Sequence, residues 1–257
     1  MAYTLQDIAF GVGGTPTTPT GGVWALLSQR QDLIANGIYQ WIGETLLELS
    51  RDFRFQGLER TGPNFTLIPN QVSYAITNFV NPDDLPVIVN LIPSFFRYFS
   101  PLNSTGANAG SNLAWKTIDA LELMFHTPGV PTYFTRYQDA ILVAPNPNQA
   151  YVTYLRYQIE HPFEQINGVP VPSPTDAFLL PNEWKDIVEF SAAQRGAVVL
   201  RMLDYAAQYK GIIFGDPEFQ RTSGGAGNPG LIHRRISQME GDSISMMRQI
   251  RAQVRRT

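Results

Sequence analysis

The sequence contains no cysteine. Disulfides and thiolate metal sites are therefore excluded, an absence that fits a reducing cytosol. Its three histidines, His126, His161 and His233, lie far apart and form no metal-ligand spacing. Charge is scarce too. Asp, Glu, Lys and Arg supply 16% of the residues, against about 25% in an average soluble domain. No apolar run approaches the roughly 20 residues a membrane-spanning helix needs. The opening Met1-Ala2-Tyr3-Thr4 lacks the basic start and apolar core of a signal peptide. These absences lead to the expectation of a protein made and used in the cytoplasm, with no membrane insertion.

Catalytic motifs are missing as well. The chain has no GxSxG, HExxH, CxxC or GxxxxGK[ST] pattern. Gly11, Gly13 and Gly14 superficially resemble a nucleotide loop, but they lead into Thr-Pro repeats rather than a helix. The Gly-rich run from Ser223 to Gly230 lacks a following Lys-Ser or Lys-Thr and reads as a hinge. Glu44, Glu48, Asp52, Glu183, Asp186 and Glu189 could be paired as hydrolase carboxylates, yet they fall at helical spacing on faces that read as solvated. No catalytic residue, cofactor or metal is expected.

Aromatic side chains are plentiful, at 12%, with 15 Phe and 11 Tyr. Little charge and many aromatics describe a surface partly covered by neighbours, since interfaces deplete charge and enrich Tyr, Phe and Arg. An aromatic-rich core would give the same composition. The net charge of −3 hides an asymmetry. Six arginines (Arg234, Arg235, Arg248, Arg251, Arg255, Arg256) face only Glu240 and Asp242 between Leu231 and Thr257. That segment carries +4, so the remainder carries −7. A basic end on an acidic body points to a separate partner for that end.

Periodicity organises the rest. Residues 1–25, with the Thr-Pro-Gly run Thr15 to Gly22, read as a flexible lead-in. Leu27, Ile34, Ile38, Trp41, Ile42, Leu46 and Leu49 recur at helical steps and predict one helix from Leu26 to Arg51. Short β-branched or aromatic runs then predict strands at residues 65–68, 73–76, 87–92, 95–99, 132–137, 140–143 and 151–159. Residues 103–112 read as a loop, and 115–125 as either strand or helix. In the 151–159 run, Tyr151, Thr153, Leu155, Tyr157 and Ile159 share one face. Residues 161–181 hold five prolines and read as an exposed connection. Asn182 reads as the cap of a helix running to Tyr209 and stopped by Gly211, and a last helix is predicted from Ile232 to Val254. The fold class is α+β. Its mainly helical body (26–60 and 182–215) packs long N- and C-terminal helices together around an inserted antiparallel β-rich domain (61–160). The Pro-rich connection 161–181 and a hinge with an extended or helical tail (216–257) complete it.

The tail is amphipathic: Arg248, Arg251 and Arg255 line one face, and Ile244, Met247, Ile250 and Val254 another. Three readings fit: a solvated helix packed on its own domain, a nucleic-acid contact, or docking into an acidic, partly apolar groove on another protein.

Three stretches, in order, resemble the head-to-tail adaptor proteins of short-tailed bacteriophage necks, also called tail tubular protein A-like or head-completion proteins. The first runs from Leu46-Leu47-Glu48-Leu49 to Tyr74-Ala75-Ile76. The second is Gly129-Val130-Pro131-Thr132-Tyr133-Phe134 with Ala140-Ile141-Leu142-Val143-Ala144-Pro145-Asn146-Pro147 and the Tyr-rich strand ending Tyr154-Leu155-Arg156-Tyr157. The third is Leu180-Pro181-Asn182-Glu183-Trp184. The resemblance implies a virion neck ring, usually of twelve copies, assembled in the host cytoplasm and attached beneath the portal. Such a ring extends the channel for genomic DNA and docks a tail nozzle, tail tube or fibre protein. It implies portal binding through Arg234, Arg235, Ile244, Met247, Arg248, Ile250, Arg251, Val254 and Arg255. Trp184, Tyr151, Tyr154 and Tyr157 are expected between subunits. An acidic channel wall would let DNA slide rather than stick. The competing classes are a cell-wall hydrolase of the virion neck, a nuclease, and a plain nucleic-acid-binding protein.

Overall fold

The computed structural model describes residues 3–28, 35–91, 97–99, 113–166, 169–215 and 229–240. Its helices are α1 (Leu5–Phe10), α2 (Gly22–Leu26), α3 (Ala35–Asp52), α4 (Ile118–Glu122), α5 (Lys185–Val199), α6 (Leu203–Phe214) and α7 (Gly230–Glu240). The strands are β1 (Glu59–Thr61), β2 (Phe65–Leu67), β3 (Ser73–Ala75), β4 (Ile88–Leu91), β5 (Arg97–Phe99), β6 (Ala114–Trp115) and β7 (Pro128–Gly129). They continue with β8 (Tyr133–Tyr137), β9 (Ala140–Ala144), β10 (Asn146–Pro147), β11 (Tyr151–Tyr154), β12 (Arg156–Ile159), β13 (Glu164–Ile166) and β14 (Val169–Val171). The architecture is α+β. The chain divides into a unit of Met1–Leu58 with His161–Thr257, and a unit of Glu59–Glu160.

In the first unit, ordered structure begins earlier than periodicity predicts. The Thr4 hydroxyl accepts the Asp7 N–H while the Asp7 carboxylate accepts the Thr4 N–H, closing a capping box on α1. The amides of Thr20 and Gly21 then both donate to the Phe10 carbonyl. Residues 3–25 are therefore a hydrogen-bonded part of this unit and not a flexible lead-in. The signal was Thr4-x-x-Asp7 ahead of Ile8-Ala9-Phe10, a capping-box pattern that a search for long periodic runs passes over.

The single helix expected from Leu26 to Arg51 is two. Ser28 takes a left-handed conformation (φ 62°) and stops α2; α3 begins at Ala35. Ile38, Ile42, Leu46 and Leu49 of α3 are buried, and α3 packs against α5. Gly196 permits that approach, because a Cβ there would sit 2.6 Å from the Trp41 ring. Likewise a Cβ at Gly43 would meet the Pro172 ring at 2.1 Å. The glycine that weakens α3 locally is what lets the segment after β14 lie on it.

The helix expected from Asn182 to Tyr209 also breaks. Asn182 lies inside a 3₁₀ turn, Asn182–Trp184, that leads into α5. At the other end the Met202 amide donates to the Ala197 carbonyl (2.7 Å) and the Arg201 amide to the Val198 carbonyl (3.1 Å). This is a Schellman cap with Arg201 in the left-handed position (φ 58°). Glycine normally fills that place and announces the break. With arginine there, the apolar period runs on unbroken in sequence. Gly211 does not end α6; Gly215 (φ 78°) caps it.

Residues 161–181 are not merely a connection. They carry the antiparallel β13–β14 hairpin, and His161, Phe163, Phe178 and Leu180 are buried. The Asn167-Gly168 dipeptide between Ile166 and Val169 is a strong short-range hairpin signal that the proline count obscured.

The second unit is built from small sheets, with strand orders β1–β12–β4, β2–β11–β5 and β3–β9–β8–β6, plus the pair β7–β10. The predicted strand 151–159 is interrupted at Leu155, so β11 and β12 join different sheets. Its alternation survives the break: Tyr151, Thr153, Leu155, Tyr157 and Ile159 are all buried. Residues 115–125 turn out to hold both candidates, the end of β6 and then α4. The predicted loop 103–112 lies outside the described residues.

Tyr157 ties β12 to the turn before β4. Its hydroxyl donates to Asp84 Oδ2 (2.5 Å) and accepts from the backbone and side-chain amides of Asn81 (3.1 and 3.0 Å). Burial, reinforced by the bond to Asp84, pushes its pKa up to about 12. Tyr157→Phe keeps the ring but leaves that carboxylate and amide without it. The expected loss is about 1–3 kcal/mol in urea unfolding, and a loss within error would show that water replaces the hydroxyl at no cost.

Candidate assembly surfaces

The basic end of the chain begins on α7. Gly230 (φ 72°) opens that helix hard against the end of α6: a Cβ on Gly230 would lie 2.3 Å from the Gly215 nitrogen and 2.7 Å from the Ile213 carbonyl oxygen. From there α7 packs on α6. Arg234 is exposed and Arg235 half-buried. Ile244, Met247, Arg248, Ile250, Arg251, Val254 and Arg255 lie outside the described residues, as does the glycine run from Gly224 to Gly227.

The aromatic residues expected between subunits are placed otherwise. Trp184 is 2% exposed, with its ring centroid 4.9 Å from those of both Phe53 and Phe55. Tyr151 is buried, and its hydroxyl donates to Asn148 Oδ1 (2.8 Å). Tyr157 is buried in the cluster described above. These three side chains spend their apolar area inside their own units and have none to offer a neighbour. The aromatic-core explanation of the composition applies to them. Tyr154 alone of the four is half exposed.

Other apolar side chains are accessible instead. In the first unit, Val198, Val199, Leu203, Tyr205 and Phe214 are exposed on α5 and α6. Val198 and Val199 belong to the last turn of α5, just before the cap at Arg201. Ile166, Val169 and Val171 are exposed on the β13–β14 hairpin. In the second unit, Leu123 is 83% exposed, and Trp115, Val130 and Tyr137 are exposed as well. Trp115 lies on β6 at the end of its sheet, edge-on to Phe134 at 5.3 Å. Large apolar side chains exposed in this number are surface suited to contact.

Three of the carboxylates considered for catalysis, Glu44, Glu48 and Glu189, lie in ion pairs. Arg195 donates to Glu48 and to the Thr45 hydroxyl (3.2 Å), with Glu44 at 3.7 Å. Lys185 bonds Glu189 at 2.6 Å. Burial, then the Glu48 charge, raises the Asp52 pKa above the ordinary carboxylate value. The glycines after α1 close a turn: the Gly13 amide donates to Asp7 Oδ1 (3.2 Å) and the Gly14 amide to the Gly11 carbonyl (2.8 Å). Among the described residues, no group of three His, Cys, Asp or Glu could hold a metal ion. No helix among them is long and apolar enough to cross a membrane. Among the described residues, the arrangement offers exposed apolar surface, and Glu44, Glu48 and Glu189 are engaged in ion pairs.

A family model described as "SU10 adaptor protein" matches residues 21–217. No curated protein matches the chain.

Proposed function

The chain belongs to the SU10 adaptor protein family, a family of bacteriophage head-to-tail adaptors, and from that premise we propose that it is a structural ring subunit in the neck of a short-tailed phage. Copies of it stand side by side beneath the portal, continue the DNA channel and receive a tail nozzle, tube or fibre protein. The role is non-enzymatic. Residues 241–257 anchor the ring, with Arg248, Arg251 and Arg255 meeting acidic portal surface and Ile244, Met247, Ile250 and Val254 entering an apolar groove. Many such tails binding at once multiply a weak individual contact.

One observation carries this reading beyond family membership. A chain with only 16% charged residues exposes apolar and aromatic side chains on both of its units, which is surface suited to neighbours rather than to water. The flanks between subunits are assigned to these exposed residues and to Tyr154, in place of the buried Trp184, Tyr151 and Tyr157.

The test is to mix the purified protein with portal-bearing heads and image them in negative stain. Ring-shaped density beneath the portal is expected. Heads that stay bare at saturating protein would refute the assignment.

A further inference from the structure

Helix α6 carries apolar side chains on more than its buried face. Ala206, Tyr209 and Ile213 are buried, and the Tyr209 hydroxyl donates to the Leu26 carbonyl. A second row, Leu203, Ala207, Gly211 and Phe214, recurs at steps of four, four and three. Leu203 is 66% exposed, Phe214 44%, and Ala207 is exposed too. A Cβ added at Gly211 would meet nothing within 4 Å. Two large side chains with two small positions between them make a shallow seat, and the exposed Val198 and Val199 precede it in the chain at the end of α5. A helix apolar on two faces calls for a second cover.

The chain itself supplies one. Helix α7 starts against the C-terminal end of α6 and packs on it, so the chain is led back along α6 before it leaves the described residues at Glu240. The segment that follows carries Ile244, Met247, Ile250 and Val254 at steps of three, three and four. As a helix this row would span about 15 Å, close to the roughly 16 Å of the α6 row at 1.5 Å per residue. Its tether keeps its effective concentration near millimolar, which favours this occupant over another copy in dilute solution.

We propose that the apolar face of residues 241–257 docks on the Leu203–Phe214 row of its own chain in the isolated subunit, and leaves it when the segment meets its partner on the phage head. The seat hides the apolar face from other subunits and leaves the arginine face in water, where an acidic partner can find it. The proposal rests on the reading of 241–257 as a docking segment, but its geometry can be tested without any head.

The arginines of the tail make the test direct. The full-length protein at low concentration is treated with trypsin, and cleavage after Arg248 and Arg251 is followed by mass spectrometry. Leu203→Asp and, separately, the double variant Met247→Asp with Ile250→Asp are each expected to speed that cleavage about tenfold. The three changes together are expected to add nothing further, because they remove the same contact. Cleavage after Lys185 and Arg195 must stay unchanged, which separates undocking from unfolding. Equal rates in wild type and the Leu203→Asp variant would overturn the proposal. So would protection that appears only as protein concentration rises, since a second copy would then be the occupant. Failure of head attachment with normal trypsin protection would instead count against the neck assignment alone.

Discussion

Trp184→Ala is expected to destabilise the Met1–Leu58/His161–Thr257 unit by about 3–5 kcal/mol, the usual range for emptying a buried aromatic site. Trp184 is among the largest fully buried side chains and lies where the 3₁₀ turn Asn182–Trp184 hands the chain to α5. Its ring packs between Phe53, just past α3, and Phe55, with centroids 4.9 Å away in each case. Both partners come from the first third of the chain, so the indole joins segments more than a hundred residues apart. Aromatic pairs of this kind contribute about 0.5–1.5 kcal/mol each beyond buried area, and a domain's whole stability is only about 5–15 kcal/mol. Trp184→Phe retains one ring of smaller size and should lose roughly half as much. Urea unfolding followed by far-UV circular dichroism measures both. A loss under about 1 kcal/mol for the alanine variant would mean the site collapses around the gap, and that Trp184 does not organise this core.

Acidification is expected to weaken the same unit through His161. The imidazole is buried and stacked on Phe163 at 4.6 Å. Its Nε2 accepts the Leu179 amide N–H (3.4 Å), and its own backbone amide donates to the Ser50 hydroxyl (3.3 Å). Protonation at Nε2 would set two donors against each other inside an apolar site. Burial accordingly lowers its pKa from 6.5 to about 4, outweighing the opposing effects of the Pro162 backbone and the Asp176 charge. Between those two values the unfolded chain binds the proton and the folded chain does not. Stability is therefore complete above pH 6.5 and falls by about 1.4 kcal/mol per unit down to pH 4, near 3 kcal/mol in all. Other groups titrate nearby. Burial raises Asp52 and Glu189, which acts in the opposite sense. The measurement is thus a difference: unfolding free energy of wild type minus His161→Gln, at pH 7 and pH 4. That difference should shrink by about 3 kcal/mol on acidification; two parallel pH profiles would show that His161 is not the titrating group.

Several features were legible in the residues. The alternation from Tyr151 to Ile159 named five side chains that are all buried, because a period of two survives even when the strand changes sheets at Leu155. The spacing from Ile38 to Leu49 named the packed face of α3 for the same kind of reason. Helix ends were less readable. Arg201 and Ser28 adopt left-handed conformations that glycine or asparagine would ordinarily advertise, so two breaks were invisible and two helices seemed to run on. The candidate contact residues failed in a related way. Large aromatics suit an interface and a core equally well, and composition does not distinguish them.

The sequence alone settled what this protein does without: cysteine chemistry, a membrane-spanning helix of the usual length, and the common catalytic motifs. It also settled the basic charge of the end of the chain and the three- and four-residue spacing of its apolar residues, since charge and spacing are local properties. Only the tertiary structure decided which apolar side chains face water. Burial depends on where a segment's neighbours come from, and Trp184 is covered by Phe53 and Phe55 while Leu203, no less apolar by composition, lies beyond a cap that turns it outward.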